Sequence, residues 1–186
     1  MSGSDNPQVR TIVRPTGVER TFGTSEVIVT KTDLQGRITY ANDVFLRVSA
    51  YAEHEMIGQP HSMIRHPDMP RGVFKLLWDT LGQRREIFAY VVNLASDGAH
   101  YWVFAHVTPS LNGAGEVVGY HSNRRVPDRT AIDAVTPIYR AMREVEAGYQ
   151  RATDAAAAGQ EVLEKQLAEL GMTYDQFVWS LVQEST

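Results

Sequence analysis

The sequence predicts an α+β fold in which a five-stranded antiparallel sheet carries short helices on one face and is followed by a C-terminal helical extension. Residues 27–40 and residues 86–125 both alternate short β-branched or aromatic runs with turn residues, as strands joined by hairpins do. Between them, residues 43–82 combine prolines with helical spacing of apolar residues, and after Pro127 the helical spacing continues. Two groups of hairpins flanking a helical stretch are typical of an α+β domain.

The composition limits the chemistry that the chain can perform. Its 186 residues are 43% hydrophobic and 22% charged, which is ordinary for a globular protein, and they include no cysteine. The lack of thiols excludes disulfides, thiolate nucleophiles, cysteine-ligated zinc or iron–sulfur clusters and a flavin–cysteinyl photoadduct. The net charge of -4 disfavours nucleic acid as a partner. Because no phosphate-binding glycine loop, nucleophile elbow or paired-acid motif is present, we expect a protein that is not an enzyme.

The chain shows no targeting or membrane segment. No stretch approaches the roughly 18 consecutive apolar residues of a membrane span, and the N-terminus lacks the basic and apolar segments of a secretory signal. We therefore expect a cytoplasmic protein without a direct membrane span. Composition divides the chain into an N-terminal arm over residues 1–23, a domain over residues 24–126 and a helical extension over residues 127–186.

The first elements are a hairpin and short helices. The turn sequence at residues 33–36 joins two short strands, Val27–Val29 and Arg37–Tyr40. Asn42 then suits a helix N-cap, because its side chain can accept hydrogen bonds from free backbone N–H groups. Short helical turns are predicted over residues 43–57.

One longer helix precedes the remaining strands. Pro70 suits the first position of a helix that runs to about Gly82. Ser96–Gly98 and Leu111–Gly115 have the composition of turns between strands. The predicted strands cover residues 86–94, 100–108 and 116–125.

The sequence of the extension predicts three helices. The first covers residues 131–147, with Pro137 near its start; the second ends at Gly171, and residues 173–176 form a capping box for the third. These helices carry more apolar residues than solvated helices need. Such residues can cover the open sheet face, pair with another subunit or bind a receptor helix, and we expect a homodimer.

Residues 61–70, His-Ser-Met-Ile-Arg-His-Pro-Asp-Met-Pro, concentrate ionisable side chains in a loop that proline stiffens. Arg65, His66 and the N-terminus of the next helix suit an anion or a phosphate. Asp68 would repel phosphate, so it caps the helix, pairs with Arg65, or accepts from a ribose hydroxyl or a ring N–H. The histidine spacing makes zinc a weak interpretation, whereas a haem ligand among the six histidines stays open.

Several motifs together resemble one known family. They are the turn at residues 33–36, Tyr40-Ala-Asn42-Asp43-x-Phe45, Gly58-Gln-Pro-His61, Arg65-His-Pro-Asp-Met-Pro70, and Gly98-x-His100-Tyr101-Trp102-Val103 followed by Thr108-Pro109. This set looks like a PAS domain of the aerotaxis-receptor type over about residues 24–126, continuing into Pro137-Ile-Tyr139. The resemblance implies the PAS fold, bound FAD and sensing of the redox state. The chain also resembles the short PAS-only members that work with a separate signalling receptor.

The resemblance also implies the residues that hold FAD. Arg65, His66 and Asp68 correspond to residues that the family needs for the cofactor. An amide offers the donor and the acceptor that the isoalloxazine edge requires, flat rings suit stacking, and Arg65 suits the pyrophosphate. The other matching positions are Asn42, Phe74, Trp78 and Asn93.

Two positions in the strands need a separate interpretation. Strand alternation lets only one of Tyr101 and Trp102 face the ligand, and we expect that residue to be Tyr101. Family members often carry Pro-Trp where this chain has Glu86-Ile87, and Ile87 cannot stack as a tryptophan does. Phe88 is the nearest substitute.

The implied function is that of a non-enzymatic redox or oxygen sensor. Reduction of FAD would reorient a polar neighbour, shift a flanking helix or sheet surface, and change the contact with a chemoreceptor or other signalling protein. Two alternatives stay open: a haem-binding PAS gas sensor, and a ligand-free PAS module for protein interaction.

Overall fold

The structure, a computed structural model, describes residues 13–183, so the first part of the expected arm, residues 1–12, lies outside the described residues. The elements follow the predicted order. The strands are β1 (Ile28–Thr32), β2 (Ile38–Ala41), β3 (Ile87–Leu94), β4 (His100–Leu111) and β5 (Val117–Arg125). The helices are α1 (Asp43–Ser49), α2 (Glu53–Met56), α3 (Arg71–Gly82), α4 (Arg129–Glu146), α5 (Ala152–Glu169) and α6 (Tyr174–Gln183), with a 3-10 turn at His61–Ile64.

The five strands form one antiparallel sheet in the order β2-β1-β5-β4-β3. The β5 strand returns beside β1, with Ile28 opposite Arg124, so the first and last strands of the sheet meet at its centre. The predicted hairpins are confirmed, and Gly36, Gly98 and Gly115 adopt the positive φ that their tight turns require. The predicted α+β class with a five-stranded antiparallel sheet is confirmed.

Short helices cover the inner face of the sheet, as the sequence predicts. Asn42 caps α1, because its Oδ1 accepts from the backbone N–H of Phe45 over 3.1 Å. The same amide also bonds Val29 N–H and Val27 C=O, which ties α1 to β1. The prediction for Pro70 was wrong by one position: Pro70 is the N-cap residue and α3 begins at Arg71.

The C-terminal helices α4 and α6 cover the outer face of the sheet. The Tyr139 hydroxyl of α4 donates to the Tyr90 carbonyl over 2.6 Å, and the Tyr174 hydroxyl of α6 donates to the Phe88 carbonyl over 2.9 Å. Both carbonyls belong to β3, the strand at one edge of the sheet. Of the alternatives for the extension, the structure therefore shows the one in which its apolar residues cover the sheet of the same chain.

Pro137 does not lie near a helix start. It lies inside α4, which begins eight residues earlier at Arg129. The missing proline N–H removes one backbone hydrogen bond, which a long helix packed on a sheet can tolerate. The predicted capping box at Thr173 is confirmed: its Oγ1 accepts from Gln176 N–H over 3.2 Å, and Gln176 Oε1 accepts from Thr173 N–H over 2.9 Å.

Candidate functional site

A cavity of about 400 Å³ lies between the inner face of the sheet, α3 and the 3-10 turn. Its volume is in the range of small-molecule sites. The walls are mainly apolar and come from α3 and the central strands. Among the apolar lining residues are Phe74, Leu77, Trp78, Leu81, Val91 and Val107.

One wall of this cavity holds a buried cation, Arg124 of β5, which is only 5% exposed. Its Nη2 donates to Thr30 Oγ1 over 2.8 Å and to His61 Nε2 over 2.7 Å, and its guanidinium lies 5.5 Å above the ring of Phe45. Its Nη1 is buried and has no hydrogen-bond partner within residues 13–183. Burial lowers the pKa of Arg124 to about 10, so the group remains a cation near neutral pH.

His61 is held neutral beside this cation. Burial, followed by repulsion from Arg124, lowers the pKa of His61 to about 3. Because Nε2 accepts a hydrogen bond from Arg124, the ring proton must be on Nδ1. The ring also stacks parallel to Phe45, with centroids 6.1 Å apart. His61 is therefore an acceptor that orients Arg124 and not a free ligand for iron.

Further polar groups on this side of the sheet lack partners in the described part of the chain. They are Ser122 Oγ, on the cavity wall, and the hydroxyl of Tyr101, which is fully buried on the inward side of β4. Burial raises the pKa of Tyr101 above its usual value. Asn93 of β3 also lines the cavity and is 3% exposed. Buried polar atoms are nearly always hydrogen-bonded, so this wall has the chemistry of a binding site for a polar ligand.

Arg65 lies on the opposite wall, beside α3. Its Nη2 donates to the Met69 carbonyl over 2.9 Å, and its guanidinium lies 4.7 Å from the centre of the Phe74 ring. Burial is the main cause that lowers the pKa of Arg65, and the charge of Arg71 adds to it. The backbone of Arg65 pairs with that of Asn93, which fixes the loop to the edge of β3.

Aromatic side chains stand at the mouth of the cavity. Trp78 of α3 is 44% exposed and meets Tyr120 of β5 edge-on, with ring centroids 5.2 Å apart. A Cβ placed on Gly36 would come within 3.4 Å of Trp78 Cη2, so the edge of the indole packs against the β1–β2 turn. The mouth therefore offers a flat, half-exposed aromatic surface.

Among the sequence-predicted site residues, Arg65, Phe74, Trp78 and Asn93 come together on this cavity. Tyr101 lies deeper on the same side of the sheet, and Trp102 faces the other side, where it stacks on Tyr139 at 6.3 Å. Asn42 is not among the residues of the cavity wall; its amide caps α1 and bonds the backbone beside β1. These hydrogen bonds give Asn42 a structural role close to the site.

His66 and Asp68 do not line this cavity. They line a second cavity of about 290 Å³ on the outer side of β3 and β4, together with residues of α4. His66 is buried, its Nδ1 accepts from Asp68 N–H over 3.0 Å, and burial lowers its pKa. The Asp68 carboxylate forms an ion pair with Arg143 of α4. Of the alternatives left open for Asp68, the pair with Arg65 is not formed; the carboxylate instead links the loop to the helical extension.

The departure at Ile87 has a clear structural outcome. Ile87 packs with Leu77 and Leu81 on the inner face. Phe88 points to the outer face, where it stacks on His106 at 4.2 Å and meets Trp179 of α6. Phe88 therefore does not substitute for an aromatic ring at the cavity.

The sequence interpretation missed Arg124 and Ser122, the most informative polar groups of the site. The signal was alternation along β5, where Tyr120, Ser122 and Arg124 share one face. Burial of that face could be recognised only once β5 was placed at the centre of the sheet. No group of three or more metal-ligating side chains occurs within residues 13–183.

Comparison with known proteins gives the family. The PAS family model, described as "PAS fold", matches residues 18–122, which is more than half of the chain. The chain belongs to the PAS family. The matched residues include α1 to α3, β1 to β4 and most of β5.

The PAS domain is similar to parts of two larger bacterial proteins. It is 43% identical over 115 residues to the aerotaxis receptor of Escherichia coli, covering 62% of this chain and 22% of the receptor. It is 33% identical over 101 residues to a nitrogen fixation regulatory protein of Klebsiella pneumoniae, covering 54% of this chain and 20% of the relative. The chain thus matches about a fifth of the length of each.

Solved structures support the PAS fold. A light-oxygen-voltage domain studied with a flavin analogue aligns with a TM-score of 0.51 at 18% identity, over 63% of this chain and 85% of that domain. The light-state structure of the blue-light photoreceptor aureochrome1 LOV aligns with a TM-score of 0.51 at 18% identity, over 66% of this chain and 93% of that one. Within residues 13–183, no helix has the length and apolar character needed to cross a membrane.

Proposed function

We propose that this PAS domain binds FAD in the inner cavity and reports the redox state of that cofactor to a signalling partner. The observation that carries the proposal is Arg124, a buried cation on the cavity wall with an unpartnered Nη1 and no acid beside it in the described residues. A buried cation without a partner is unfavourable unless a ligand supplies an acceptor. A flavin ring carries carbonyl oxygens and ring nitrogens that accept hydrogen bonds.

The other groups of the cavity fit the same cofactor. Asn93 provides a donor and an acceptor, and Ser122 provides a hydroxyl without a partner within residues 13–183. Phe74, Leu77 and Val91 provide apolar walls for a flat ring system. Arg65 would face the pyrophosphate, and Trp78 would offer its surface to an aromatic ring at the mouth.

Bound FAD would supply reversible uptake of electrons, and the residues around it would respond to the added charge. Arg124 is rigidly held by Thr30 and His61, so its field acts on the cavity without rearrangement. Ser122, whose hydroxyl has no partner within residues 13–183, and Asn93, whose amide lines the cavity, are the side chains that would reorient. Such a change of partner in a buried site is worth roughly 1–3 kcal/mol, enough to shift a two-state equilibrium by about 5-fold to 150-fold.

The site would also be supported by residues that do not line the cavity, namely His66, Asp68, Asn42 and Tyr101.

Residues 24–126 would form the sensor, and residues 127–186 would form the extension that carries the response. The partner would be a chemoreceptor or another signalling protein met in the cytoplasm, and a second copy of the chain would form a homodimer. The function would involve no catalysis.

Haem is less well supported by the geometry. His61 is the histidine among the cavity-lining residues, and its Nε2 already accepts from Arg124. The low pKa of His61 results from burial beside that cation. A ligand-free module would leave Arg124 Nη1 and Ser122 Oγ permanently unpaired.

The absorption spectrum of the purified chain tests the proposal. We expect the two-band near-ultraviolet and blue absorption of a flavin, bleached by dithionite, and FAD as the nucleotide released on denaturation. A single intense Soret band would replace the proposal with the haem sensor. A colourless chain that stays colourless with excess FAD would leave the ligand-free module.

A further inference from the structure

Glu146 is a buried carboxylate that connects the cavity helix α3 to the C-terminal extension. It is the last residue of α4 and is 8% exposed. Its two oxygens accept from the first two backbone N–H groups of α3, Arg71 N–H over 2.9 Å and Gly72 N–H over 2.8 Å. Pro70 offers no side-chain cap, so the carboxylate of another helix takes over the capping of α3.

The position of Glu146 is explained by α3 and not by α4. A carboxylate at the C-terminal end of its own helix is electrostatically unfavourable, whereas one at the N-terminus of a neighbouring helix is favourable. Two charge-assisted hydrogen bonds to free N–H groups compensate its burial. Any movement of α3 along its axis changes these bonds directly.

Close packing makes the junction sensitive to small shifts. A Cβ on Gly72 would lie 2.5 Å from the backbone nitrogen of Gln160 in α5, and one on Gly159 would lie 2.1 Å from Glu146 Oε1. The backbones of α3 and α5 are therefore almost in contact, and the Glu146 side chain of α4 packs directly against Gly159. A packed junction of this kind responds by changing arrangement and not by gradual deformation.

The cavity side of α3 lies within one turn of this junction. Phe74 follows Gly72 by two residues and lines the cavity, and its ring makes a cation–π contact with the Arg65 guanidinium. Arg65 also bonds the Met69 carbonyl, just before the start of α3, and it feels the charges of both Arg71 and Glu146. A ligand that moves Arg65 or Phe74 thus acts on the groups that Glu146 holds.

A second contact ties the same face of α4 to the loop over residues 61–70, called the cofactor loop from here on. Arg143, three residues before Glu146, pairs with Asp68. One helix face therefore contacts the loop at Asp68 and the cavity helix at Arg71 and Gly72.

From these contacts we infer that Glu146 is the positioning residue through which the state of the ligand in the cavity controls how firmly the C-terminal helices are docked. The inference rests on the proposed function, because it needs a ligand with two states. It assigns the output to α4, α5 and α6, of which α4 and α6 cover the outer face of the sheet in the docked state. By linkage, the same coupling makes helix docking alter ligand affinity.

The test is amide hydrogen exchange of the full chain with FAD bound, in the oxidised and dithionite-reduced forms. We expect exchange of α4 to α6 and of the Gly72 amide to differ between the two forms by about fivefold or more. Glu146→Gln should abolish the difference in α4 to α6, because the amide removes the negative charge and replaces one of the two accepting oxygens by an NH2 donor. Glu144→Gln, an exposed acid on the same helix, should retain it.

Equal exchange in the two forms of the wild type, or an unchanged difference in Glu146→Gln, would overturn the inference while FAD binding stands. If Glu146→Gln does not fold, Glu146→Asp takes its place, and exchange of α4 to α6 is compared in its oxidised and reduced forms. Exchange of the wild-type Gly72 amide in the two forms then gives a second readout of the same inference. A chain that takes up no FAD, seen in its spectrum before exchange begins, overturns the proposed function and this inference with it. A variant that loses stability but keeps the redox-dependent difference would show that Glu146 is only a helix cap.

Discussion

Arg124 Nη2 donates to His61 Nε2 over 2.7 Å, and this bond joins the centre of the sheet to the start of the cofactor loop. It also aligns an unpaired cation with the cavity wall. The bond exists only while His61 is neutral, because a protonated imidazole has no acceptor. The protonation of one histidine thus connects the stability of the fold with the geometry of the site.

The first prediction concerns stability in mild acid. His61 has its pKa lowered from 6.5 to about 3 in the fold, so below 6.5 the unfolded chain binds a proton that the folded chain does not. The contribution of His61 to the unfolding free energy is therefore fully present above pH 6.5, and it falls as the pH drops from there toward about 3. Between about pH 7.5 and about pH 5, this group should cost about 2 kcal/mol of unfolding free energy.

Urea unfolding of the wild type and of His61→Gln at both pH values measures this cost. Glutamine keeps an acceptor for Arg124 and does not titrate, so the variant should lose about 2 kcal/mol less than the wild type on acidification. The pKa of His66 is also lowered by burial, and its titration contributes equally to both proteins. Equal losses in the two proteins would show that His61 does not control the acid response.

The second prediction concerns the redox potential. Replacing Arg124 by Met removes a buried positive charge beside the ligand, which should destabilise the more electron-rich form. We expect the two-electron potential of bound FAD to fall by about 30 mV or more, equivalent to about tenfold in the equilibrium constant. Arg125→Met, an exposed neighbour on β5, is the control and should leave the potential unchanged. Dye-equilibrated reduction of the three proteins gives the values, and a potential unaffected by Arg124→Met would refute its electrostatic role.

The sequence predicted most of the fold because local chemistry determined it. The turns at Gly36, Gly98 and Gly115, the cap at Asn42 and the capping box at Thr173 all depend on residues within a few positions. Pro137 was misplaced because packing of α4 against the sheet outweighs the local preference of proline for helix starts.

Only part of the site could be predicted, because its other residues are brought together by contacts between distant parts of the sequence. The resemblance to the PAS family pointed to Arg65, Phe74, Trp78 and Asn93, which do meet at the cavity. Arg124 looked like one of two arginines at a strand end, and its burial depends on β1 lying beside β5 across a long stretch of chain. The Asp68–Arg143 pair joins residues 75 positions apart, which no short pattern reveals.

The third prediction separates direct from indirect cofactor residues. Arg65→Ala removes a group of the cavity wall and should lower FAD affinity by tenfold or more. Asp68→Asn leaves the wall intact and should lower affinity through the loop, to the same extent as Arg143→Gln. Because Asp68 and Arg143 act through one ion pair, the double variant should be no weaker than either single variant. Fully additive losses in that double-mutant cycle would mean that Asp68 acts on the cofactor independently of α4.

The fourth prediction concerns the contact between α3 and α5. Gly72→Ala places a methyl group 2.5 Å from the Gln160 backbone nitrogen, so the helices must separate. We expect a loss of about 1–3 kcal/mol in unfolding free energy. Gly82→Ala, at the other end of α3 with nothing within 4 Å, should be neutral or slightly stabilising. Thermal unfolding of both variants decides the point, and a neutral Gly72→Ala would contradict the close packing of these helices.

Calorimetric titration of FAD into the ligand-free chain measures whether the cavity beside Arg124 and Asn93 holds the cofactor. We expect one saturable site per chain, with affinity lowered about tenfold or more in Asn93→Leu, because a buried polar contact to the ligand is lost. Absence of saturable binding, or equal affinity in the wild type and Asn93→Leu, would show that FAD does not bind beside these residues.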